Sequence, residues 1–153
     1  MAATYSTTAS IRDDAWFAWN TYIVDASIDI QRTRAYALIN SYVGTRYTVP
    51  SLADSNFTGS PASQLLESIE ITLGGAYLLI KEYGPAGRDT DKDWYRRLED
   101  VKILLSEIRD GKISLFGNDG HLLPTVQQED QSSGTIRAYT TDEPPRFSVD
   151  DNF

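Results

Sequence analysis

Asp93-Trp94-Tyr95-Arg96-Arg97-Leu98-Glu99-Asp100-Val101-Lys102-Ile103-Leu104-Leu105-Ser106-Glu107-Ile108-Arg109-Asp110-Gly111 is the stretch on which the fold turns. Trp94, Leu98, Val101, Leu105 and Ile108 recur at alternating spacings of four and three, the seam of a packed bundle helix. The pattern predicts a helix from about Asp91 to Asp110. Gly111 suits the left-handed position just past a helix end, and Lys112 falls near the negative end of the helix dipole. Ile113-Ser114-Leu115 then reads as a short extended segment.

Two more helices lie upstream. One opens at Ser60-Pro61, with Ser60 as N-cap and Pro61 at the first helical position. Its apolar stripe is Leu65, Leu66, Ile69, Leu73, Ala76, Tyr77 and Ile80, and Gly84-Pro85 ends it. Gly74-Gly75 in its middle costs about 1 kcal/mol per glycine against alanine, so close approach of another helix is the expected compensation. The other runs from about Ser27 to Val43. Its apolar face is Ile28, Ala35, Leu38, Ile39, Tyr42 and Val43, with Arg32 and Arg34 largely off it. Gly44 breaks this helix, and Tyr47-Thr48-Val49-Pro50 leaves as extended chain because proline disfavours helix at the residue before it. Residues 51–60 form a loop.

Near the N-terminus, Asp13 or Asp14 is a candidate cap for a short helix containing Trp16, Phe17 and Trp19. These rings must be buried, in the core of the subunit or in a neighbour's groove. The expected fold is therefore all-α: a small bundle of three main helices with a possible short N-terminal helix and a long extended C-terminal arm. The units are an N-terminal segment (1–26), the bundle (27–115) and the arm (116–153).

The arm is acidic, rich in Gly, Ser, Thr and Pro, and has no amphipathic element, yet it carries the apolar-cationic island Pro144-Pro145-Arg146-Phe147. Such a segment cannot offset its own ordering entropy, so it is either disordered or ordered by something else. The island favours the second: Phe147 filling an apolar pocket, Arg146 pairing with an acidic or backbone acceptor, and Ile136 to Tyr139 adding as a strand to a partner's sheet edge.

With 153 residues and 41% hydrophobic content, the chain suffices for one domain with a real core. Its net charge of −8 is uneven. Residues 1–115 carry 15 acidic and 12 basic groups, and the tail 7 acidic and 2 basic. That balance lacks the clustered cations of a nucleic-acid binder, and leaves room for a surface past which DNA slides without sticking. Without cysteine, disulfides and thiolate metal sites are excluded. Met1-Ala2-Ala3-Thr4-Tyr5 has neither the basic nor the apolar region of a secretory signal, and no apolar run approaches the length of a membrane span. The expectation is a protein made in the cytoplasm, with no membrane contact.

Enzyme chemistry is not visible. Asp89, Asp91, Asp93 and Asp100 loosely follow a calcium-loop frame, but Trp94 stands where the sharp turn requires glycine, so helix-capping acids are the better reading. His121, the single histidine, lies in the turn Asn118-Asp119-Gly120-His121 with no nucleophile identified by spacing. Phosphate-binding glycine fingerprints and a nucleophile elbow are lacking. Neither catalytic residues, nor a metal, nor a cofactor is expected.

Three stretches, in order, resemble one family. They are Ala35-x-x-Leu38-Ile39-x-x-Tyr42-Val43-x-x-Arg46-Tyr47-x-x-Pro50, then Leu104-Leu105-x-x-Ile108-x-x-Gly111-Lys112-Ile113-Ser114-Leu115, and finally Pro145-Arg146-Phe147-Ser148-x-Asp150. Together they resemble the small head-tail adaptor, or head-completion, proteins of tailed bacteriophages, of the Mu-like type. The N-terminal 26 residues and the long 51–60 loop depart from that pattern. The resemblance implies a virion protein at the head-tail interface, forming a ring, usually twelve-fold, beneath the portal. Its implied partners are the portal protein, neighbouring adaptor subunits and the next neck or tail-completion protein, with DNA passing through the ring without specific binding. Tyr42, Arg46, Tyr47, Pro50, Gly111, Lys112, Ile113 and Leu115 would organise the two helix exits, and Ile136, Tyr139, Pro145, Arg146 and Phe147 would dock the arm. The competing readings are a cellular helical-bundle module whose tail recruits one partner, and a small hydrolase using Asp119 and His121.

Overall fold

The computed structural model describes residues 4–17, 22–49, 51–83 and 93–126. Four helices make up the fold, and no strand occurs among the described residues: α1 (Thr8–Asp14), α2 (Asp25–Val43), α3 (Pro61–Tyr83) and α4 (Asp93–Arg109). The all-α bundle read from the sequence is the observed architecture. α3 is its axis, packing against each of the other three helices.

That central position follows from the composition of α3. It buries Ala62, Leu66, Ile69, Leu73 and Ala76 on one side, toward α2 and α4, and Leu78 on another, toward α1. The Ser60 cap forms as read, its Oγ accepting the Ser63 N–H at 3.1 Å. The glycine pair has a partner as well. A Cβ on Gly74 would meet Ile11 Cδ1 at 2.7 Å, and one on Gly75 would meet the Asp14 carboxylate at 2.5 Å. Only glycine lets α1 settle this closely on α3.

α1 differs from its expected form. Its N-cap is Thr7, whose Oγ1 accepts the Ser10 N–H at 3.1 Å, and Asp13 and Asp14 close the helix rather than open it. The physical reason is Ile11, fully buried on Gly74, which fixes the helix upstream of the aromatic cluster. A carboxylate at a helix C-terminus opposes the dipole, and Arg97 of α4, 3.4 Å from Asp14, offsets it. Phe17 is buried beyond the helix end, in the core of the subunit, whereas Trp16 is 85% exposed in the single chain. Trp19 lies outside the described residues. Ile11, Ala15, Phe17, Ile23, Ile28 and Leu78 form a second core cluster, and four of these six come from the N-terminal segment. Each such large side chain contributes about 1.5–3 kcal/mol when fully buried.

A further difference concerns Arg32 of α2, which is buried rather than off the apolar face. Its guanidinium donates to the Ser6 carbonyl at 3.0 Å and to Asp29. Glu70 of α3, fully buried, accepts the Ser6 N–H. Burial pushes the Glu70 carboxyl above its ordinary range, against the lowering pull of the Ser6 hydrogen bonds and of Arg32. The chain before α1 is thus tied to the bundle by a buried acid and a buried base. No helix among the described residues is long and apolar enough to cross a membrane.

Candidate functional site

The C-terminal ends of α2 and α4 and the start of α3 meet at one end of the bundle. Both motif-bearing helix exits converge there. Past α2, Gly44 and Tyr47 donate to the carbonyls of Asn40 and Val43 at 2.8 Å each, so the chain turns tightly before extending. Past α4, Gly111 adopts φ +78, and the amides of Lys112 and Ile113 return to the Glu107 carbonyl at 2.9 and 3.2 Å.

Tyr47 occupies the centre of this junction, fully buried. Its hydroxyl accepts the Leu115 N–H at 3.3 Å. Arg46 lies against both exits: its guanidinium carbon sits 5.6 Å from the Tyr47 ring centroid, and a Cβ on Gly111 would fall 1.9 Å from its Nη1. With the guanidinium in this position there is no room for a side chain at 111. Tyr42, one turn earlier, is half-buried beneath the Arg109 guanidinium, 5.7 Å from its ring centroid. Ile113 packs half-buried on the core, Leu115 is buried in it, and Lys112 is exposed. Pro50 lies outside the described residues, as do Ile136, Tyr139, Pro145, Arg146 and Phe147.

Residues 116–126, read as the start of the arm, lie against the same junction. Leu123 is buried in the main core and donates its N–H to the Leu115 carbonyl at 2.9 Å. Thr48 donates to Pro124 at 2.9 Å, Val126 donates to Arg46 at 3.0 Å, and Tyr47 bridges Thr125. The Ala62 N–H, one of the orphan donors of the first turn of α3, finds the Phe116 carbonyl at 3.2 Å.

A side-chain latch joins this segment to the 51–60 loop, a pairing with no local signal beyond two turn-forming stretches. Asn118 Nδ2 donates to the carbonyls of Ser55 and Thr58, both at 2.8 Å. Asn56 exchanges hydrogen bonds with Asp119, donating to its carboxylate at 3.2 Å and accepting its N–H at 3.0 Å. Phe57 is fully buried beneath. The other Asp119 oxygen accepts the backbone N–H of His121 at 2.9 Å. That carboxylate thus orders a turn and meets the histidine through its main chain.

The matched family extends over nearly all of this architecture. The sequence model of the family described as Bacteriophage Mu, Gp36 matches residues 4–133. The chain belongs to that family. The match takes in all four helices, the junction and the latch, and with them the N-terminal segment that departs from the adaptor pattern. Membership makes this a Mu-like phage protein, of the structural or morphogenesis class. Comparison with curated proteins and with solved structures gives no match.

Proposed function

We propose that the protein is a neck adaptor of a tailed phage, a non-catalytic virion component that assembles as a ring, twelve-fold, beneath the portal and continues the DNA channel toward the tail. The observation that carries this reading is the junction. Arg46-Tyr47 and Gly111–Leu115, far apart in sequence, pack on one another at the point where the remaining chain leaves the bundle. A rigid exit of this kind suits a subunit that must aim an extended arm at a portal or a neighbour. Membership of a phage Mu family supports the setting. The net charge of −8 suits a wall past which DNA phosphates slide without adhering. Ring contacts are heterologous and close by rotation, and an arm that reaches across a subunit boundary serves that geometry.

Native mass spectrometry of the full-length chain, alone and with portal protein, tests the proposal. A ring, or a ring that forms on adding portal protein, is the expected result. A monomer under both conditions would refute it. The hydrolase reading makes the contrary prediction, an activity lost on substituting His121 or Asp119.

A further inference from the structure

At the end of α3 remote from the junction, three rings stand in file. Phe17 and Tyr83 stack at 6.0 Å with planes 20° apart, and Tyr83 and Trp94 at 6.1 Å with planes 15° apart. They line, with Leu79, a cleft of about 320 Å³ whose rim carries Asp14 and Arg97. Tyr83 remains 59% exposed. Trp16 stands at the edge, 85% exposed at φ +63, a left-handed conformation that costs a bulky residue about 1–2 kcal/mol. The fold thus holds a large ring in water at a backbone cost, beside a ready-made aromatic groove.

We propose that this cleft receives Pro144-Pro145-Arg146-Phe147 from a second copy of the chain. The inference rests on the ring reading, since only an assembly supplies the second copy. The chemistry of the two parts matches. A Pro-Pro pair favours the extended polyproline conformation, which docks into aromatic-lined grooves at little ordering cost. An arginine stacks on the face of a Tyr or Trp ring, and a phenylalanine extends an offset stack. The Asp14 carboxylate, 3.4 Å from Arg97, adds an acidic group on the rim.

The geometry also accommodates it. The chain leaves the described fold at Val126, beside the start of α3, while the cleft lies beside Tyr83 at its end. A helix of 23 residues separates them by about 34 Å at roughly 1.5 Å per residue. Residues 127–143, fully extended at about 3.3 Å each, reach at most about 56 Å. The arm's exit at Val126 and the receptor cleft lie at opposite ends of one subunit, an arrangement that suits a head-to-tail contact between unlike surfaces.

The test uses full-length chains. A synthetic peptide of residues 140–153 is titrated calorimetrically into the Phe147→Ala protein, whose own arm no longer competes. Binding is expected, weakened about tenfold or more when Tyr83→Ala is added. Tyr83 is a suitable site because its exposure spares the core. Trp16→Ala, at a position 85% exposed, should weaken binding with little change in thermal stability. In parallel, native mass spectra across a concentration series should show wild-type association that Phe147→Ala reduces. Absence of peptide binding overturns the proposal. So does binding by a wild-type chain that stays monomeric at every concentration, because the arm then docks on its own subunit. Rings that form on portal protein without peptide binding would overturn the cleft and leave the adaptor reading standing. Peptide binding by a chain that associates with concentration but never closes into a ring, with or without portal protein, would support the cleft and refute the adaptor.

Discussion

Gly111→Ala probes the contact on which the junction depends. Two costs arise at once. Alanine at φ +78 pays the left-handed penalty of about 1–2 kcal/mol. Its methyl would also lie 1.9 Å from Arg46 Nη1 and 2.4 Å from the guanidinium carbon, so the arginine must swing away. The clashing atoms are the end of a flexible side chain, and its displacement forfeits little beyond the stack on Tyr47, about 0.5–1 kcal/mol. The expected destabilisation is about 1.5–3 kcal/mol. At about 2–4 °C per kcal/mol for a chain of this size, Tm should fall by about 3–12 °C.

The two costs separate in a double-mutant cycle. With Arg46→Ala in place the steric partner is gone, and Gly111→Ala should cost only the backbone part, about 1–2 kcal/mol. Urea denaturation of the four proteins, read by far-ultraviolet circular dichroism, gives both numbers. An equal cost in the two backgrounds would mean that Arg46 does not rest on Gly111. A harmless Gly111→Ala would refute the left-handed turn as well.

Three further outcomes concern polar side chains that tie distant parts of the chain together. Tyr47→Phe leaves the Leu115 amide without its acceptor and should cost about 1–3 kcal/mol in urea denaturation, with the helix content of the folded state unchanged. Asn118→Ala removes the side-chain donor to Ser55 and Thr58 and should speed hydrogen exchange in residues 54–60 while α2 stays protected; uniform acceleration would show that the latch is not local. Glu70 has its carboxyl raised by burial, so its contribution to stability is complete below the ordinary carboxylate range and is lost as pH rises through the raised value. Wild type should therefore gain Tm relative to Glu70→Gln as pH falls from neutral, and parallel curves would refute that assignment.

The helices were legible because their signals are local. Ser60-Pro61 and Gly111 mark boundaries by backbone chemistry, and the spacing of Leu98, Val101, Leu105 and Ile108 declares a buried stripe. Other features were hidden because they depend on tertiary partners. Arg32 reads as a cation off the apolar face until Ser6 and Asp29 are brought to it, and the burial of Glu70 has no local signal because the N-terminal chain supplies it. Thr7 caps α1 in place of Asp13 or Asp14 because Ile11 against Gly74, a tertiary contact, fixes the helix upstream of the two acids. At the junction, the residue types were visible but their mutual contact was not, because Arg46 and Gly111 meet only through the packing of α2 and α4.

The same reasoning changes where the arm must be cut to learn what it does. Removing everything after Leu115 takes Leu123 out of the core, leaves the Ala62 amide without Phe116, and breaks the Asn118 latch over the 51–60 loop. Loss of assembly in such a protein would report a damaged bundle as readily as a missing anchor. Phe147→Ala avoids the ambiguity, because its position lies beyond every hydrogen bond that ties residues 116–126 to the fold. If the arm carries the assembly contact, this one ring should control association while leaving Tm unchanged. A matched loss of both would place Phe147 in the folding of its own subunit and remove the basis for an arm that works between copies.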